Sequence, residues 1–120
     1  MQKIVRCEKQ VEPILPNGTY SAILEKTEII KTQYGNRASF VFRVLGVEGS
    51  PQIFKSTKTD LNPQSELYEV VSGLLDRDLN SGELEGFNLE VLESELCCLF
   101  VEQARSKDGY RFNNITKVFK

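Results

Sequence analysis

Over residues 37–47 the chain alternates cleanly: Ala38, Phe40, Phe42 and Val44 fall on one side, and Arg37, Ser39, Val41 and Arg43 on the other. Successive side chains of a strand point to opposite faces, so a period of two specifies a half-buried β-strand and ties its register to the apolar set. Such a strand needs partners and a cover. Residues 19–32 supply one partner. There Tyr20, Ala22 and Leu24 alternate with Ser21, Ile23 and Glu25 until the phase slips near Ile29 and Ile30, as a bulge would cause. Tyr34-Gly35-Asn36 is the tight connection between the two strands. Gly49-Ser50-Pro51 then turns the chain into a third strand at residues 52–59, which completes an antiparallel meander.

The period changes after Asn62. Leu67, Val70, Val71, Leu74 and Leu75 recur at helical spacing behind Ser65, a capping residue, with Glu66 and Glu69 near the positive end of the helix dipole. Gly73 inside this helix costs about 1 kcal/mol against Ala, and close packing on a sheet is the expected reason for it. Residues 76–86 read as an acidic loop, and Phe87, Leu89 and Leu92 as one helical turn. A nearly continuous apolar strand follows at residues 96–103. Lys107-Asp108-Gly109 is a hairpin turn, and residues 110–119 form a fifth strand. Pro13, Pro16 and Asn17-Gly18 mark the start of the domain, expected at residues 13–120 behind an N-terminal arm at residues 1–12.

Composition narrows the chemistry. The chain has 120 residues, 40% of them hydrophobic and 27% charged, which suits one folded domain with one core. It has no His, so the commonest general base and metal ligand are missing, and no nucleophile with an evident base stands out. The chain is therefore read as non-catalytic, with no cofactor and no metal site. Cys97 and Cys98 are neighbours on a strand and cannot grip one metal together; with Cys7 they make an odd count that argues against a disulfide framework. Phe40, Phe42 and Phe54 are expected in the core. No apolar run is long enough for a membrane span or a secretory signal, so a cytoplasmic protein without membrane contact is expected.

Net charge is −2, but it is unevenly spread: residues 1–62 sum to +3, residues 63–104 to −9 and residues 105–120 to +4. The acids of the middle segment, including Glu66, Glu69, Asp76, Asp78, Glu83, Glu85, Glu90, Glu93 and Glu95, are expected to form a solvated face that repels phosphate. Three meandering strands, one α-helix, then a hairpin is the layout of an OB-fold, a small five-stranded Greek-key β-barrel with its helix between strands three and four. The helix would plug the bottom of that barrel. An open five-stranded α+β sheet packed on the helix satisfies the same periodicity.

Several stretches resemble a family of small OB-fold proteins of phages, plasmids and some bacteria, many grouped with single-stranded-DNA-binding proteins. They are Leu15-Pro16-Asn17-Gly18-Thr19-Tyr20, Tyr34-Gly35 ahead of Phe40-Val41-Phe42-Arg43, Asn62-Pro63-Gln64-Ser65-Glu66-Leu67-Tyr68, and Lys107-Asp108-Gly109-Tyr110. The chain differs from the bacterial single-strand-binding proteins in having no Trp for base stacking, and in ending on Lys117-Val118-Phe119-Lys120 rather than a long acidic tail. The resemblance implies single-stranded DNA as the partner, with RNA as the alternative, and is compatible with a homo-oligomer.

A non-specific single-strand binder needs cations for phosphates and aromatic faces for bases. The candidates are Arg37 and Arg43 on strand two, Lys55 and Lys58 on strand three, Tyr34 on the first turn, and Tyr110 with Arg111 after the last one. The competing expectation is a protein-interaction or assembly module on the same barrel, without nucleic acid. The low isoelectric point and the missing Trp favour it.

Overall fold

In the computed structural model, the alternation around Phe40 becomes strand β2 (Gly35–Val44), where Ala38, Phe40, Phe42 and Val44 are fully buried and the two phenyl rings stack 6.5 Å apart. The structure describes residues 13–120, so the arm expected at residues 1–12, with Cys7, lies outside the described residues. Strand β1 (Gly18–Thr32) pairs with β2 along its second part and with β4 (Leu96–Arg105) along its first. Strand β3 (Gln52–Lys58) continues the sheet beyond β2, and β5 (Arg111–Phe119) continues it beyond β4. The result is one antiparallel sheet in the order β3-β2-β1-β4-β5.

The sheet bends at two bulges. One leaves Glu25 of β1 without a partner on β2; the other leaves Thr116 of β5 without a partner on β4. The phase slip of β1 therefore comes earlier than Ile29. Both Ile29 and Ile30 are exposed because the β1–β2 hairpin runs past the core there, so their pattern reflects missing cover on either side. The bulge itself is braced from outside. Glu93 accepts the Thr27 amide and the Thr27 hydroxyl at 2.9 Å each, and the Ser94 amide donates to the Leu24 carbonyl at 2.6 Å.

Helix α1 (Glu66–Leu75) begins where expected. The Ser65 hydroxyl accepts the Tyr68 amide at 3.1 Å, and Leu67, Val70, Val71 and Leu74 are buried. A side chain at Gly73 would place its Cβ 2.0 Å from the Val118 carbonyl oxygen, so the helix lies directly on the backbone of β5. No ladder joins β3 to β5 among the described residues, and the sheet is open between them rather than closed by hydrogen bonds. Lys55 crosses this gap instead, donating to the Ile115 carbonyl at 2.7 Å and to Glu66 of α1 at 3.3 Å.

Residues 76–86 are more ordered than a loop. They contain a short helix α2 (Ser81–Glu85), in which the Asn80 side chain accepts the Glu83 amide at 2.9 Å and Glu83 accepts the Asn80 amide at 3.0 Å. This reciprocal pair is a capping box. A 3₁₀ turn at Leu89–Leu92 buries Leu92 under the sheet. Asn113, buried on β5, fixes the start of the domain: its amide donates to the Pro13 carbonyl at 2.7 Å and its oxygen accepts the Leu15 amide at 2.8 Å. Among the described residues no helix is long and apolar enough to cross a membrane.

Candidate functional site

Directly paired residues of an antiparallel sheet share a face, so the registers define what stands on the outer side of β1, β2 and β3. Successive rows are Ile23–Arg43–Gln52, Lys26–Val41–Phe54, Glu28–Ser39–Ser56 and Ile30–Arg37–Lys58. The bulge residue Glu25 lies beside the first of these. Phe54, expected in the core, is on this outer face with 40% of its surface exposed. Its strand carries apolar residues at both parities, Ile53 and Phe54, and Ile53 takes the inward place.

The two ends of this face differ electrostatically. At one end Arg43 is engaged: its guanidinium donates to Glu25 at 3.1 Å and to the Ser50 carbonyl at 2.8 Å, while Gln52 donates to the same Glu25 carboxylate at 2.7 Å. The bonds from Gln52 and then Arg43 hold the Glu25 carboxyl below the usual carboxylate range. Lys26 is likewise matched by Glu28 at 2.7 Å. At the other end Arg37 and Lys58 are cross-strand partners, both cationic, and neither meets a carboxylate among the described residues. Like charges directly opposite each other destabilise a sheet. Arg37 is held in place by Ser56, which accepts at its hydroxyl (3.0 Å) and its carbonyl (3.1 Å). The hairpin turn beyond this row carries Tyr34, whose ring is 90% exposed.

A second like-charge pair stands on the other parity of the sheet, the side that buried Val101, Ile115 and Asn113 share. Arg111 on β5 pairs across the strands with Arg105 on β4, and neither meets a carboxylate among the described residues. Among the described residues the Arg105 guanidinium donates only to the Gly109 carbonyl, at 3.2 Å, and Tyr110 nearby is 74% exposed. Arg105 was not among the sequence candidates. Its signal is its position: Arg105 and Arg111 flank the Lys107-Asp108-Gly109 turn symmetrically.

Lys55 does not join either cluster. It shares the inward parity of Ile53 and Thr57, keeps 10% of its side chain exposed, and is engaged at the gap between β3 and β5. A cleft of about 720 Å³ beside that gap is lined by α1 and β5, with charges of both signs: Lys55, Asp76, Arg77, Asp78 and Lys117. Several acids expected to be merely solvated have partners as well: Glu66 with Lys55, Glu83 with Arg77, Glu93 with Thr27 and Glu95 with Lys120. The Arg77 guanidinium, with the Asn80 amide, pulls the Glu83 carboxyl from 4.5 down to about 2.

Cys97 and Cys98 point to opposite faces as free thiols, the first buried and the second half-buried. Burial pushes the Cys97 thiol up to about 12, which keeps it protonated and unreactive. No group of three acidic or thiol side chains among the described residues is placed to hold a metal ion. No family model matches the chain, and no curated protein matches it.

Proposed function

We propose that this protein is a non-catalytic module that binds single-stranded nucleic acid, DNA ahead of RNA, on an OB-like barrel left partly open between β3 and β5. The observation that carries the reading is the pair of hairpin ends. Each presents two cations facing each other with no carboxylate partner among the described residues, beside an exposed tyrosine: Arg37 and Lys58 with Tyr34 on the outer parity of the sheet, then Arg105 and Arg111 with Tyr110 on the inner parity where β4 and β5 run past the core. A polyanion relieves such like-charge pairs, and an exposed ring offers a stacking surface worth about 1–3 kcal/mol per base. The strand order supports the same reading, because in OB-folds the β2–β3 face and the loops β1–β2 and β4–β5 receive oligonucleotides. Arg43 lies at the edge of this surface and engages a phosphate only by giving up Glu25.

The test is titration with labelled dT oligomers at low salt. Binding should weaken on a log–log plot with salt at a slope of about −0.7 per phosphate neutralised. The double variant Arg37→Ala/Lys58→Ala should lose on the order of tenfold in affinity, as expected for two lost charge-assisted contacts. No binding at tens of micromolar protein would overturn the reading. One observation favours assembly instead: Leu96 and Phe100 stand exposed on the outer face of β4, next to half-buried Cys98. Sedimentation that shows a stable oligomer with no oligonucleotide affinity would establish that role.

A further inference from the structure

The β1–β2 hairpin has a second side. Where its outer face carries Arg37, beside Lys58 of β3, its inner face at Thr27 and Ile29 looks into a cleft of about 540 Å³ closed on the far side by the segment from Leu84 to Glu90. The floor of the cleft is apolar. Ile29 is 56% exposed, and Leu84, Phe87 and Leu89 rest on the core with part of their surface still open to solvent. The rim is acidic: Glu28, which is paired with Lys26, and Glu85 and Glu90 line it, and among the described residues no Lys or Arg does. Glu85 and Glu90 meet no cation among the described residues, and Arg77, the single base in residues 63–104, is already taken by Glu83.

Open apolar surface ringed by charge marks a docking site for another chain. A carboxylate rim excludes nucleic acid and selects the opposite charge in a partner. We infer that this cleft docks a basic amphipathic segment of a partner protein, its apolar side chains on Ile29, Leu84, Phe87 and Leu89 and its flanking Lys or Arg on Glu85 and Glu90. Apolar anchors give the grip, and the acids set orientation and exclude acidic competitors. This inference is independent of oligonucleotide binding, which uses the other side of the hairpin.

The experiment uses isotope-labelled full-length protein and a designed peptide of Leu and Lys in amphipathic register, titrated at physiological salt and followed by NMR. The expected result is a saturable shift confined to the methyl and ring signals of Ile29, Leu84, Phe87 and Leu89. Glu85→Lys/Glu90→Lys, two surface changes that leave the core untouched, should weaken binding on the order of tenfold. Ile29→Asp should remove the local shifts while the rest of the spectrum keeps its dispersion. A control peptide with Ser in place of Leu should give no shifts at the cleft. Equal shifts with the control, or shifts spread over all the acidic surface, overturn the inference. So does concentration-dependent broadening of the same signals without peptide, which assigns the cleft to a second copy of the chain.

Discussion

Lys55 and Lys58 lie three residues apart on one strand, and the pleat therefore sends them to opposite sides of the sheet. Lys58 faces outward beside Arg37. Lys55 turns inward, where its ammonium supplies the Ile115 carbonyl with a donor across the gap that no ladder closes among the described residues. Their substitutions should separate cleanly. Lys55→Met keeps the aliphatic stem but strips that carbonyl of its donor, and should cost about 1–3 kcal/mol in urea unfolding. Lys58→Ala should leave stability within about 0.5 kcal/mol and act on oligonucleotide affinity alone. The sequence could not distinguish the two lysines, because Ile53 and Phe54 place apolar weight on both parities of the strand. Arg77 and Glu83 give a second residue-level prediction. A carboxyl lowered in the folded chain from 4.5 to about 2 contributes stability that is complete above pH 4.5 and lost as pH falls toward 2. A carbon-detected titration should place the Glu83 midpoint near 2, and Arg77→Ala should raise it toward 4.5.

Among the elements, α1 shows how a local anomaly can announce a tertiary contact. Its apolar stripe, its Ser65 cap and even the reason for Gly73 were legible, since a helix interior tolerates glycine when something else needs the space. Gly73→Ala should therefore run against helix propensity. The gain of about 1 kcal/mol from Ala is outweighed by a Cβ 2.0 Å from the Val118 carbonyl, so thermal unfolding should come earlier, by a net cost of about 1–3 kcal/mol. The five strands were legible along the chain as well: β1, β2 and β5 from period two, β3 from the turn before it, and β4 from its nearly continuous apolar run. Other features were harder to read. The position of the β1 bulge is set by a partner far along the chain, Glu93, and no local pattern reports it. Helix α2 is short and without buried residues, so it leaves no apolar periodicity, although Asn80-Ser81-Gly82-Glu83 spells its capping box. The face was legible as a cationic strand pair. That its open charges are Arg37 and Lys58, with a second open pair, Arg105 and Arg111, on the opposite parity of β4 and β5, follows from the register alone.

For the molecule as a whole, the net charge of −2 says little about what it attracts. Most acids of residues 63–104 gather on α1, α2, the 3₁₀ turn and the segments that join them, with Glu102 apart on β4, so one chain offers fields of both signs. Among the described residues no ladder joins β3 to β5, and the gap between them is bridged by the Lys55 ammonium and covered by α1. A structure held this way should come apart from its margins. In native-state hydrogen exchange, the amides of β3 and β5 facing the gap should open at lower free energy than those of central β1, whose core stretch is flanked on both sides. Uniform protection across all five strands would show that Lys55 and α1 seal the gap as tightly as a ladder does. Otherwise the molecule has a built-in hinge line, and a ligand laid over β2 and β3 would travel with one leaf of it while the α1–β5 contact stays with the other.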